Sequence, residues 1–71
     1  MSYFTDLQRH CDALLIEHHM TPQLKASIRT LVAAGQSKRK ILAFVRCVAG
    51  GRRPVVLACE AFMEQLNRES N

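Results

Sequence analysis

The residues of this chain best suited to chemistry are Lys38, Arg39, Lys40, Arg46, Arg52 and Arg53, and that chemistry is recognition of negative charge. Ammonium and guanidinium groups donate hydrogen bonds to carboxylate or phosphate oxygens, and arginine does so as a bidentate fork. These six lie within a longer stretch, His18 to Cys59, which also carries Lys25 and Arg29 and holds no Asp or Glu. All the acids fall outside it: Asp6, Asp12 and Glu17 before, Glu60, Glu64 and Glu69 after. A field of one sign over the middle of a small domain attracts an oppositely charged partner and raises its encounter rate. The chain reads as a binding protein with a basic working surface.

Bond-making chemistry has less to work with. The chain holds no Gly-rich phosphate loop and no Ser, His and acid set suggestive of an activated nucleophile, and its acids avoid the clustered cations. His10, Cys11, His18 and His19 share one helix, yet zinc needs ligands about one turn apart or a tight Cys-x-x-Cys knuckle. Cys11 and His18 are two turns apart, so Cys47 and Cys59 would have to complete a site from elsewhere. The Gly50, Gly51, Arg52, Arg53 segment could hold a phosphate through amides and guanidiniums, but an ordinary turn accounts for it equally. The expectation is a non-enzyme with no metal and no cofactor.

Size sets the next bound. The 71 residues make a single domain spanning 1–71, with a formal charge of +4. Chains this short bury only about 60% of their unfolded surface, so a lone core leaves a thin margin of stability. Disulfides, a metal or self-association often reinforce such domains. Three cysteines cannot all pair, and no secretory signal opens the chain, which points to a reducing cytoplasmic setting. Apolar runs such as Ala13 to Ile16 and Val55 to Cys59 are too short to span a bilayer. Self-association as a homodimer is therefore the expected reinforcement.

Four helices must position the cations. The first is expected from Thr5, with Gln8 completing a capping box. Its inner stripe would be Phe4, Leu7, Cys11, Leu14 and His18, with Leu15 beside it and Ile16 and Met20 left outside as surface anchors. Thr21 and Pro22 open helix 2, whose apolar face is Leu24, Ile28, Leu31 and Val32; Gly35 closes it. Ser37 caps helix 3, which presents Ile41, Leu42, Val45, Val48 and Ala49 inward through roughly residue 48, with Phe44 at the stripe's edge. Lys38, Arg39 and Lys40 in its first turn oppose the helix dipole, so something other than helix stability keeps them there. Gly50 and Gly51 break the chain before Arg52, Arg53 and Pro54 lead into helix 4. Val55, Cys59, Phe62 and Leu66 form its inner stripe, widened by Val56 and Met63, and Leu57 lies on the far side. The tail from Asn67 is expected to fray. The result is an all-α bundle of four short helices, expected to dimerise.

The stretch Leu31 to Ile41 resembles the small helix-turn-helix modules of resolvase-like and other bacterial DNA-binding proteins. An apolar helix ends at Gly35, Ser37 caps the next, and Ile41 four residues on packs inward. The chain departs from those modules at Leu31, where they favour a small residue, and at Gln36, where they favour an apolar one. The resemblance implies that Lys38, Arg39 and Lys40 touch phosphates or base edges if helix 3 reads the groove. In a shifted unit read by helix 4, Glu60 and Glu64 would face phosphates.

Apolar residues expected outside one core, Ile16, Phe44, Val56 and Leu57, point instead to a protein interface, because apolar anchors ringed by Arg are common interface chemistry. The leading expectation is a small regulator or inhibitor that acts by stoichiometric binding of a protein with an acidic surface. Lys38, Arg39, Lys40, Arg46, Arg52 and Arg53 would steer that partner, and Phe44 and Leu57 would anchor it. Nucleic-acid binding through the helix-turn-helix is the alternative.

Overall fold

The computed structural model describes residues 3–70, with side chains through 69. Four helices follow one another: α1 (Tyr3–His19), α2 (Pro22–Ala33), α3 (Lys38–Ala49) and α4 (Arg53–Ser70), and no strand occurs among the described residues. Connections of two, four and three residues force neighbouring helices to turn back sharply. The fold class is the one that the apolar periodicity dictates.

The junctions obey local chemistry. At the start of α2, Leu24 N donates to Thr21 Oγ1 at 3.1 Å, and Pro22 occupies the first turn, where a missing amide costs nothing. At its end, Gly35 N donates to the Val32 carbonyl at 3.0 Å and Gln36 N to the Leu31 carbonyl at 3.1 Å. That pair of bonds is a Schellman closure, and it requires the left-handed φ of 78° that Gly35 supplies. Lys40 N donates to Ser37 Oγ at 3.3 Å, capping α3. Gly50, at φ 88°, ends α3, and the Arg52 carbonyl accepts from Val55 and Val56 to begin α4.

Helix α4 is central: α1, α2 and α3 all pack on it, and α2 and α3 also pack on each other. The core comprises Ile16 and Met20 from the end of α1, Leu24 and Ile28 from α2, and Ile41 and Val45 from α3. Val55, Ala58, Cys59, Ala61 and Phe62 come from α4. Because α1 lies against α4 alone, the molecule is somewhat elongated; its radius of gyration is 12.1 Å, against about 11 Å for a chain of this length.

Four sequence expectations are corrected. Helix α1 already includes Tyr3 and Phe4, so Thr5 lies inside it and is not its cap; Gln8 Nε2 instead donates to Asp12 Oδ1 at 3.0 Å. The inner face of α1 is the other one. Ile16 is 6% exposed and Met20 5%, whereas Phe4 is 78% exposed and Leu7, Cys11, Leu14 and His18 also face outward. The physical cause is the two-residue link to α2. Met20 N still donates to the Ile16 carbonyl, and Met20 enters the core one turn before Leu24, which brings Ile16, one turn earlier, inward with it. On α3 and α4, Val48 and Ala49 are exposed although expected inside, and residues 67–70 continue α4.

The rotation of α1 has a measurable consequence. Ile16→Ala should cost about 2–4 kcal/mol by creating a core cavity, and Leu14→Ala under about 1 kcal/mol at protein concentrations low enough to keep the chain monomeric. Paired urea titrations followed by circular dichroism check the contrast, and equal losses would restore the sequence-derived face.

Candidate functional site

The cations divide along α3. Lys38, Arg39 and Lys40 occupy its first turn, and Arg46 lies near its end, about 10 Å from Arg39 along the axis. A Cβ built on Gly51 would lie 3.7 Å from Arg46 Cγ, which sets Arg46 beside the turn carrying Arg52 and Arg53 into α4. All six are exposed. The stripe Ile41 and Val45 is buried, with Leu42 half-buried, so Arg39, Lys40, Ala43, Arg46 and Cys47 occupy the opposite, uncovered side of the helix.

Lys38 differs from its neighbours. Its Nζ lies 3.5 Å from Glu60 Oε2, and both side chains are well exposed. The acid-free run is therefore not wholly acid-free in space, because Glu60 reaches it from α4. So exposed a pair contributes at most about 1 kcal/mol, so its main effect is to direct Lys38 toward α4 and away from the outer face.

The two expected apolar anchors border separate grooves. Phe44 is half-buried against the core, and its remaining surface opens into a groove with His19, Leu24, Ser27 and Val48 on the α2 side. Leu57 borders a groove between α1 and α4, with Phe4, Gln8, Leu15, Glu60 and Glu64. That groove holds a cavity of about 750 Å³, open to solvent. Between Arg39, Lys40 and Arg46 lie only the small side chains of Ala43 and Cys47.

Helix α4 is poorly placed to enter a groove of DNA. The other three helices pack against it, and its remaining exposed side carries Glu60 and Glu64 near Leu57. Of the two helix-turn-helix registers the sequence allows, α2–turn–α3 alone leaves the second helix an uncovered basic side.

Sequence reasoning missed two features of Arg29 and Cys59. The Arg29 guanidinium carbon lies 5.3 Å from the centroid of the buried Phe62 ring, a cation–π contact that fixes one basic side chain of α2 against the core. Helical spacing within α2 gives no hint of a ring contributed by α4. Cys59 is fully buried, and burial, reinforced by Glu60 and opposed by Lys38, pushes its thiol from 9.0 up to about 11. The folded state thus disfavours the thiolate. Its contribution to stability is complete below about pH 9 and is lost as pH rises toward 11. At pH 8, Cys47 should react rapidly with an aromatic disulfide reagent, and Cys59 only after denaturant is added. Three fast thiols in the native protein would contradict the burial.

No group of three His, Cys, Asp or Glu side chains converges as metal ligands among the described residues. No described helix is long and apolar enough to cross a membrane. Comparison with protein-family models, curated proteins and solved structures finds no match.

Proposed function

We propose that this protein is a non-enzymatic regulator that binds duplex DNA through the outer side of α3, with α2 and α3 as a helix-turn-helix. The observation that carries this reading is the composition of that side: Arg39, Lys40 and Arg46 around Ala43 and Cys47, with no acid and no bulky apolar residue. A protein interface needs an apolar centre inside its charged rim. Here Phe44 and Leu57 border other grooves, and the centre holds only small side chains. Small side chains between cations instead let a helix approach a polyanion closely. An α-helix fits the major groove of B-form DNA, whereas that of A-form RNA is too deep and narrow to be read. Stacking on single-stranded bases is not favoured either, because exposed Tyr3 and Phe4 belong to α1, which packs on α4 and not on α3.

In this mechanism Arg39 and Lys40, at the leading end of α3, meet base edges or phosphates, and Arg46, Arg52 and Arg53 hold the backbone farther along. Lys38 stays with Glu60 until an anion competes for it. The protein acts stoichiometrically, as a homodimer, in a reducing cytoplasmic compartment, where exposed Cys11 and Cys47 remain thiols.

Fluorescence polarisation with a labelled random-sequence duplex tests the reading. Five phosphate contacts contribute about −4.5 per bound chain to the log-log salt slope, so each chain's share of the affinity falls roughly 500-fold between about 50 and 200 mM salt. Absence of binding at the lower salt would refute the proposal. Tight binding to an acidic protein, only mildly sensitive to salt, would support the competing regulator of a protein target.

A further inference from the structure

The outward side of α1 supplies what the DNA-binding reading does not explain. Phe4, Leu7, Cys11, Leu14 and His18 recur at alternating steps of three and four, the a and d positions of a heptad repeat, yet all five are exposed. Tyr3 extends the patch, with its ring edge-on to Phe4 at a centroid separation of 6.1 Å. We infer that this stripe is the dimer seam of the protein, packed against the same stripe of a second copy.

Three observations select a second copy. The spacing itself asks for a helix, because a seam repeating every 3.5 residues stays in register only with a helical partner carrying the same repeat. The chain offers one such helix with its apolar side free, namely α1.

The area is sufficient. Tyr3 is 75% exposed, Phe4 78%, and Leu7 and Leu14 46% each. An aromatic residue buries about 150–250 Å² on complete burial. With the two leucines and Cys11, each copy offers several hundred Å², and two copies together reach the roughly 1,000 Å² of a specific interface.

Charge spares the seam. Asp6, Arg9 and Asp12 lie off the heptad stripe and only Glu17 flanks it, so two copies can meet without setting like charges face to face. Joining through α1 also leaves α3, which does not pack on α1, free on each copy. Full overlap of the two stripes, parallel or antiparallel, sets Cys11 opposite Cys11 of the other copy, because it is the middle position of the five.

Sedimentation equilibrium of the full chain in reducing buffer tests the inference. The wild type should have twice the 8.0 kDa chain mass, and Leu7→Lys combined with Leu14→Lys should have the single mass with its helical signal retained. Because that variant could fail to fold, Cys47→Ser is tested in parallel with a short bis-maleimide, and it should cross-link into dimers through Cys11. A wild type of single mass across the micromolar range would overturn the seam and leave the face to a different partner. So would a double-lysine variant that remains dimeric, or a Cys47→Ser dimer that does not cross-link. The readout is independent of DNA, so Arg39→Ala, Lys40→Ala and Arg46→Ala together should leave the mass unchanged.

Discussion

Replacing Arg39, Lys40 and Arg46 together with Ala is expected to weaken duplex binding on the order of 100-fold and to flatten the salt slope by about 2.7 for each bound chain. The two effects come from one cause. Each lost cation leaves one phosphate un-neutralised and one counterion in place, so affinity and salt sensitivity fall together. The folded state should be little affected, since all three side chains are exposed and none takes part in an ion pair among the described residues. Two of them lie in the first turn of α3, where removing positive charge relieves the helix dipole. The variant should therefore unfold at the same urea concentration as the wild type or a slightly higher one. Polarisation and circular dichroism on the same samples separate the outcomes. Unchanged affinity in a folded variant would remove α3 as the contact surface, whereas equal losses of affinity and helicity would make the cations structural. Lys38→Ala serves as an internal comparison, because its ammonium is directed toward Glu60 and its loss should cost less than that of Lys40.

Ile28→Ala should produce the largest loss of stability. Ile28 is fully buried, in a cluster with Ile41 and Val45 of α3 and Cys59 and Phe62 of α4. Truncation removes three carbons and leaves a cavity in a core that this small chain cannot readily collapse around, at a cost of about 3–5 kcal/mol. Domains of this length are stable by roughly 4–10 kcal/mol in total. A fall in melting temperature of at least about 10 °C should follow at fixed protein concentration. Val32→Ala, at the partly exposed end of the same apolar face, should shift the melt little. If Ile28→Ala and Val32→Ala melt together, α2 does not pack as described. DNA binding links the two experiments: the cavity lies where α2, α3 and α4 meet, so loosening it should also blur the angle at which α3 presents its cations.

Much of the fold is legible in residue order. Thr21 before Pro22, Gly35 two residues before Ser37, and Gly50 with Gly51 mark helix boundaries because their chemistry is local. A hydroxyl accepts the amide three residues on, and glycine alone enters the left-handed region cheaply. The inward stripes of α2 and α4 were largely clear, since each of those helices has one dominant apolar side, though Val32 at the end of α2 is left exposed.

Tertiary structure decided the rest. Helix α1 carries two apolar rows, and periodicity states which residues share a row but not which row meets α4. The short link at Met20 and Thr21 made that choice, turning Ile16 inward and leaving the heptad row outside. Likewise, sequence paired Phe44 and Leu57 as anchors for one partner, but helix packing sets Phe44 in a groove beside α2 and Leu57 in a groove beside α1. Glu60 reached Lys38 across 22 positions of chain for the same reason. Charge pattern and the helix boundaries at the three connections are properties of neighbouring residues, and the sequence determined them alone. The composition of each surface depends on how rigid helices rotate against one another, and that is settled only when all four share one core.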